Sequence, residues 1–335
     1  MIIRLFLLSL FLHSGFLSAG SAIAQDSKKQ ITVFEGIPTR DYGYFPTYLA
    51  RAKGFFAQEG LDVRIVIMRS NVAVPALLNG EVQFATAGSA VNAALRGAPL
   101  RAVYFSYHTS IFQFVVRPEI RTANDLKGKT VAIASPGGSQ DAGTRLMLED
   151  LGLDPRRDVK ILPMGGAQAR VIAMDTGQVA GSANNFDVAA ALVRKGYRIL
   201  TNSAKVYPIP FSGLAANMNW ARENRDTLKK WLRAHVKAVQ FIWQHPAEAA
   251  QVAAKELELD ADVAREVVNQ SFQFMNPDDP GGASEKGLLA HIEESANRVG
   301  VDPKKFKIPD IADLTPLREA QKELGVRCRG GYLCE

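Results

Sequence analysis

Small polar residues recur where predicted strands give way to predicted helices. The five motifs are Ser70-Asn71, Ala87-Gly88-Ser89, Ser135-Pro136-Gly137-Gly138-Ser139, Met164-Gly165-Gly166 and Asn184-Asn185-Phe186-Asp187. Helix N-termini offer free N–H groups and a partial positive charge, and glycine lets a ligand approach the backbone closely. Each motif alone also suits an ordinary helix cap. Five of them around one cleft would form an anion-binding site.

A polar-aromatic loop, Arg40 to Pro46, follows the first predicted strand. Its tyrosines offer an apolar face with one hydrogen bond. Arg40 suits a carboxylate or sulfonate, although a surface pair with Asp41 is the alternative. Asp187 is also open to two interpretations. Facing the cleft it would favour a zwitterion over a bare anion, and otherwise it caps the following helix.

We therefore predict ligand contacts from both the helix starts and this loop. The predicted contacts are Arg40, Tyr42, Gly43, Tyr44, Ser70, Asn71, Gly88, Ser89, Ser135, Gly137, Gly138, Ser139, Asn184, Asn185 and Asp187. The loop of Gly137, Gly138 and Ser139 is expected to hold the negative group of the ligand.

The sequence contains no recognisable catalytic or metal-binding motif. None of its five histidines lies in an HExxH motif or four residues from another histidine, and GxSxG, SxxK and P-loop motifs are missing. The Asn276–Gly282 loop lacks the acidic spacing of a calcium site. We expect no catalytic residue, no metal and no cofactor.

The elements that would position these residues alternate between strand and helix patterns. One set of alternating runs extends from Ile31 to Val116 and a second from Thr130 to Leu200, and helical patterns follow Pro210. Such alternation is typical of parallel sheets with crossover helices. Two successive sets predict two α/β lobes.

Composition and the N-terminus indicate an exported globular protein. The chain has 335 residues, of which 47% are hydrophobic and 22% charged. Its net charge of +6 is scattered, so no nucleic-acid tract is indicated. Residues 1–24 resemble a signal peptide cut after Ala24. Cys328 and Cys334 are six residues apart, and an oxidising compartment favours a disulfide between them.

Three runs resemble periplasmic solute-binding proteins of nitrate/sulfonate/taurine ABC importers, the NMT1/THI5-like family. The run Phe45–Val63 keeps the family's P-x-Y-x-A-x-x-x-G-x-F-x-x-x-G-L-x-V pattern. Ala76–Ala85 is similar to ALLxGxVDFA with Gln83 in place of Asp, and Asp125–Ala132 is similar to DLKGKxVA. Thr176–Gly181 departs from the usual GxVDA.

The resemblance implies an α/β type II periplasmic-binding-protein fold, in which two lobes with parallel-rich sheets flanked by helices close on a ligand. Lobe 1 would comprise residues 25–115 and 213–335, and lobe 2 residues 116–212. Two crossover strands would lie near Phe112–Arg117 and Val206–Ser212, and the C-terminal helices would return mainly to lobe 1.

The implied function is capture of a small anionic or zwitterionic solute, such as a sulfonate, taurine or nitrate. The monomeric protein would deliver it to an inner-membrane ABC permease from the periplasm. A ligand sensor for a membrane receptor is one alternative. A pyrimidine or thiamine-precursor binding protein, or an enzyme of the same fold, is another. The yeast-type pyrimidine synthase uses a cysteine-rich motif, and no cysteine occurs here before Cys328.

Overall fold

The computed structural model describes residues 30–334, which form two five-stranded sheets flanked by helices. The strands are β1 (Ile31–Ile37), β2 (Leu61–Ile67), β3 (Phe84–Thr86), β4 (Leu100–Tyr107), β5 (Phe112–Val116), β6 (Thr130–Ile133), β7 (Lys160–Pro163), β8 (Gly181–Asn185), β9 (Arg198–Asn202) and β10 (Phe211–Asn217). The helices are α1 (Phe45–Ala52), α2 (Phe55–Gln58), α3 (Ser70–Leu78), α4 (Ala87–Ala94), α5 (Ser139–Asp150), α6 (Ala167–Asp175), α7 (Phe186–Arg194), α8 (Met218–Glu223), α9 (Arg225–Gln244), α10 (Pro246–Leu257), α11 (Ala261–Ser271), α12 (Glu285–Val299) and α13 (Thr315–Glu323).

Each sheet is mostly parallel but contains one strand of opposite direction. The first sheet has the order β2-β1-β3-β10-β4, and β10 runs antiparallel to both neighbours. The second has the order β7-β6-β8-β5-β9, and β5 is its antiparallel strand. In both cases the reversed strand is the first strand after the chain passes over from the other sheet. This architecture confirms the predicted two-lobed α/β fold.

The chain passes between the sheets twice, through residues 108–111 and 203–210. The two segments touch, because the hydroxyls of Ser110 and Ser203 are 2.6 Å apart. The second segment overlaps the expected crossover near Val206–Ser212. The first passage lies earlier than expected, because Phe112–Val116 pairs fully with β8 and β9 as a strand of the second sheet.

Helix α9 is fixed to the first sheet by aromatic packing and a buried polar network. The Trp231 ring stacks on Phe84 of β3 with 3.8 Å between centroids, and its Nε1–H donates to Glu35 Oε2 at 3.0 Å. His235, one turn later, lies 3.1 Å from the Thr47 hydroxyl. These contacts give the histidine a structural role, as expected for one outside any metal motif.

Two residues interrupt helical segments of the first lobe. Gly54 adopts φ 72° and separates α1 from α2. Asn224, with φ −119° and ψ 37°, lies between α8 and α9. Among the C-terminal helices, α11 packs against α7 beside the second sheet.

The C-terminal tail is cross-linked and anchored. Cys328 and Cys334 form a disulfide with their Cα atoms 5.3 Å apart. The Tyr332 N–H donates to the Ala283 carbonyl at 2.7 Å, and Arg318 pairs with the buried Asp279. The tail is therefore held against the loop before α12 by more than the disulfide.

The predicted signal peptide, residues 1–24, lies outside the described residues. Within residues 30–334, no helix is both long enough and apolar enough to cross a membrane.

Candidate ligand-binding site

A cavity of about 50 Å³ is lined by residues from both sides of the molecule. Seven predicted contacts line it, and they are Tyr44, Ser70, Gly88, Ser135, Gly138, Ser139 and Asn185. Phe105, Phe112 and Phe211 add aromatic walls. The cavity therefore combines apolar walls with polar groups, as small-molecule sites commonly do.

Four helices begin at this cavity. Ser70 opens α3, Gly88 lies in the first turn of α4, Ser139 opens α5, and Asn185 directly precedes α7. None of these four helices has a hydrogen bond from a capping side chain. In α3, α4 and α5 the first-turn N–H groups therefore have no side-chain cap from the preceding residue at the cavity, where they would stabilise negative charge. In α7 the Asp187 carboxylate accepts backbone hydrogen bonds from the first turn.

The helix starts on opposite sides of the cavity approach each other closely. A Cβ atom added to Gly88 would collide with the Ser139 hydroxyl, and one added to Gly138 would lie 3.1 Å from Ser70 Oγ. Gly88 and Ser70 belong to the first-sheet side, whereas Gly138 and Ser139 follow β6 of the second sheet. Glycine at these positions permits the two sides to meet.

The cation of the cavity is Arg170 on α6, a residue that the sequence analysis missed. It is only 2% exposed. Its Nε–H donates to Ser182 Oγ at 3.1 Å, its Nη1 to the Gly165 carbonyl at 2.6 Å, and its Nη2 to Asn184 Oδ1 at 3.3 Å. Burial lowers the pKa of Arg170 to about 10, while the nearby Asp41 charge acts in the opposite direction. Arg170 therefore stays charged at neutral pH.

Arg170 was hard to identify from the sequence, because an arginine within an amphipathic helix usually faces solvent. The one usable signal was its place in the first turns after Gly165-Gly166, a motif already identified as a helix start. Its burial depends on β8, which supplies Ser182 and Asn184 as partners.

Asp41 is the acidic group of the cavity and was likewise missed as a contact. Its carboxylate accepts hydrogen bonds from the Thr39 hydroxyl at 2.5 Å, the Gly43 N–H at 3.0 Å and Asn185 Nδ2 at 2.6 Å. Burial raises the pKa of Asp41, and the Thr39 hydrogen bond and the Arg170 charge counteract this rise. Asp41 and Arg170 are not paired within 4.0 Å of each other.

Three buried polar atoms on the cavity-lining residues have no hydrogen-bond partner. They are His291 Nδ1, Ser212 Oγ and Asn185 Oδ1. Buried polar groups in proteins are almost always paired, so orphaned atoms around one cavity need an explanation. A bound polar solute or water would supply the missing partners. His291, on a C-terminal helix far from the motifs in sequence, carried no signal that could have identified it.

Arg40, Tyr42 and Asp187 lie outside the cavity, contrary to expectation. Arg40 is exposed and pairs with Glu258 at 3.0 Å. Tyr42 is fully buried and its hydroxyl donates to Ser271 Oγ at 3.2 Å. Asp187 accepts the Tyr42 N–H at 2.8 Å, and burial together with the Asp41 charge raises its pKa to about 7.

Five further predicted contacts are also absent from the cavity lining. Asn71 and Ser89 line a separate groove on the outside of α3 and α4. Gly137 turns away, with its N–H donating to Asp141 Oδ2 at 2.9 Å. Asn184 lies behind Arg170 as its hydrogen-bond acceptor. Gly43 packs under the cavity, where a Cβ atom would lie 2.6 Å from Asn185 Nδ2.

In residues 30–334, no cysteine or lysine lines the cavity, and no lining serine is hydrogen-bonded to a histidine. A nucleophile paired with a base, the usual arrangement for covalent catalysis, is therefore missing from the described cavity. What remains are hydrogen-bond donors, one cation and one anion.

Comparisons with known proteins agree with this architecture. The riboflavin-binding protein RibY of Chloroflexus aurantiacus is 26% identical over 267 residues, covering 75% of this chain and 74% of RibY. A solved structure from Bordetella bronchiseptica superimposes with a TM-score of 0.78 at 21% identity, covering 89% of this chain and 99% of that one. The periplasmic nitrate-binding protein NrtA from Synechocystis gives a TM-score of 0.73 at 16% identity, covering 89% and 90%.

The family model described as NMT1/THI5 like matches residues 43–249. This range is more than half of the chain. It includes both passages between the sheets and most of the cavity-lining residues. The sequence motifs, the two-lobed fold and this match agree, and the chain belongs to the NMT1/THI5-like family.

Proposed function

We propose that this protein is the solute-binding component of an ABC importer and captures a small organic anion or zwitterion between its lobes. The family match supports a binding role rather than an enzymatic one. The observation that carries the proposal is a single buried cavity to which both lobes contribute helix starts.

The negative group of the solute would bind where α3, α4 and α5 begin. Gly88 lies against Ser139 there and Gly138 lies against Ser70, and no N-cap side chain bonds to the first turns of the three helices. Arg170 adds a full positive charge to the same cavity. Backbone N–H groups and an arginine together suit a sulfonate or carboxylate group.

The size of the cavity favours a small solute. An engineered cavity of roughly 150 Å³ binds benzene, whereas this one measures about 50 Å³. A compound with few heavy atoms, such as nitrate or methanesulfonate, therefore suits this cavity better than a compound the size of riboflavin.

Closure of the lobes would trap the solute. We propose lobe 1 as residues 25–115 with 213–335 and lobe 2 as residues 116–212, with the first boundary moved to about residue 111 because β5 belongs to the second sheet. Pairing of β5 within the second sheet supports a hinge at 108–111 and 203–210, close to these boundaries. A solute that contacts both lobes shifts the population toward the closed form by its differential affinity.

The remaining features of the proposal follow from the resemblance to importer components. The protein would be exported through its N-terminal signal peptide, act as a monomer in the periplasm, and deliver the solute to an inner-membrane permease. A sensor role would use the same closure but a different membrane partner, and copurification with a permease would separate the two roles.

A thermal-shift screen tests the ligand class. We expect a rise in melting temperature with methanesulfonate, taurine, other small sulfonates or nitrate, because a ligand that binds only the folded state stabilises it. Aromatic carboxylates and pyrimidines complete the panel. Stabilisation by pyrimidines alone would contradict the anion proposal and favour the thiamine-precursor alternative.

A further inference from the structure

The cavity holds a buried carboxylate beside its buried arginine, which is unexpected in a site for a simple anion. Asp41 is 4% exposed and Arg170 is 2% exposed. They influence each other electrostatically, yet they are not within 4.0 Å of each other. The charge of Arg170 is therefore balanced by the nearby Asp41 carboxylate, although the two side chains form no direct ion pair.

Burial raises the pKa of Asp41, and hydrogen bonds to its carboxylate counteract that rise. The Thr39 hydroxyl, the Gly43 N–H and Asn185 Nδ2 all donate to its two oxygens. Three donors directed at a carboxylate stabilise its negative charge. Asn185 comes from β8 of the second sheet, so closure of the lobes completes this set of donors.

Since Coulomb energy is proportional to the product of the charges, Asp41 repels a dianion twice as strongly as a monoanion in the same place, and this offsets the doubled attraction of the dianion to Arg170. The larger desolvation cost of the dianion then disfavours its burial in the cavity. The same carboxylate would attract an ammonium group or accept a hydrogen bond. The orphaned Asn185 Oδ1, on a residue bonded to Asp41, is a second acceptor at this end of the cavity.

We infer that Asp41 determines the charge class of the solute: the site accepts one negative charge together with an ammonium or other hydrogen-bond donor, and it excludes dianions such as sulfate. This inference rests on the proposed function, because it concerns selection among anions at that same cavity.

The test compares taurine, methanesulfonate and sulfate by calorimetric titration of the full-length mature protein at constant ionic strength near neutral pH. The variant is Asp41→Asn, which can keep every hydrogen bond if its amide nitrogen replaces Oδ2 and the Thr39 hydroxyl turns to accept. The matched control is Glu35→Gln, which removes a buried carboxyl that bonds to Thr47 and Trp231 in the first lobe and does not line the cavity.

We expect the unmodified protein to bind methanesulfonate at least about tenfold more tightly than sulfate. In Asp41→Asn the affinity for methanesulfonate should rise about tenfold and that for sulfate about a hundredfold, because the dianion loses twice the repulsion. The preference for taurine over methanesulfonate should fall. Glu35→Gln should change each of these affinities less than about threefold.

Unchanged sulfate affinity in Asp41→Asn would overturn the inference, and so would tighter binding of sulfate than of methanesulfonate by the unmodified protein. Both results would leave the anion-binding function standing. If none of the three anions binds, the proposed function fails and the inference fails with it. The selectivity of the unmodified protein provides a test even if the variant does not fold.

Discussion

Arg170 is the residue on which the proposed anion binding depends most. It is the one lysine or arginine among the described cavity-lining residues, and its guanidinium is fixed by Ser182, Asn184 and the Gly165 carbonyl. A fixed cation loses little entropy when a ligand binds, so its hydrogen bonds contribute fully to affinity.

Replacing Arg170 should therefore weaken binding sharply. A hydrogen bond to a charged group contributes about 1.5–3 kcal/mol, so Arg170→Gln should lower methanesulfonate affinity about ten- to a hundredfold. Arg40→Gln is the matched control, because Arg40 is exposed and paired with Glu258. Titration calorimetry would measure both, and equal losses in the two variants would contradict the assignment of Arg170.

A second prediction at the residue scale concerns Asp187 and the pH dependence of the free energy of unfolding. Burial and the Asp41 charge raise its pKa to about 7 in the folded protein, well above the ordinary carboxyl value. The folded state then binds more protons than the unfolded state between about pH 4 and pH 7, so this group makes stability fall as pH rises through that range.

Asp187→Asn should remove this dependence. Urea unfolding at about pH 5 and about pH 8 should show the variant gaining roughly 2 kcal/mol relative to the unmodified protein at the higher pH. Glu35, whose pKa burial also raises to about 7, is present in both proteins and cancels from the difference. A stability difference that does not vary with pH would show that Asp187 titrates normally.

The sequence predicted the small residues of the site better than the charged ones. Ser70, Gly88, Gly138 and Ser139 were found because strand-to-helix transitions leave a local pattern. The arginine could not be chosen correctly, because Arg40 and Arg170 differ only in what the rest of the fold packs around them. Arg40 extends to α10, whereas Arg170 is enclosed by β8.

At the scale of the elements, the site is made by helices that start where strands end. Strands β3 and β6 deliver the starts of α4 and α5 to a common point, so that Gly88 faces Ser139 across the lobes. This contact requires glycine only for space, because Gly88 has ordinary helical geometry.

Gly88→Val should therefore block closure without unfolding α4. The valine side chain would collide with Ser139, and we expect methanesulfonate affinity to fall at least about a hundredfold while the melting temperature without ligand changes little. Gly166→Val is the matched control, since no atom lies within 4 Å of a Cβ added there. Normal affinity in Gly88→Val would show that the lobes need not meet at this point.

The order and type of most elements were predictable, because alternating strand and helix patterns leave strong local signals. The reversed directions of β5 and β10 were not, since pairing direction depends on which sheet a strand enters. The packing of α11 on α7 was missed for the same reason, as it is a contact between distant parts of the chain.

At the scale of the whole molecule, elements of the two sheets contact each other beside the cavity. Asn185 bonds to Asp41 and the Tyr42 N–H donates to Asp187, and both contacts join elements of the two sheets. Asn92 Nδ2 and Arg298 Nη1 both donate to the Gly137 carbonyl, at 3.0 and 3.2 Å. These contacts would form as the lobes close, with the paired segments 108–111 and 203–210 acting as the hinge.

Small-angle X-ray scattering of the mature protein, with and without a saturating solute identified by thermal shift, tests the central claim most directly. The account predicts that the solute lowers the radius of gyration, because a solute bound between the lobes stabilises the closed form. The same solute should leave the radius of Gly88→Val unchanged. A solute that binds tightly to the unmodified protein while its scattering curve stays the same would contradict capture by closure.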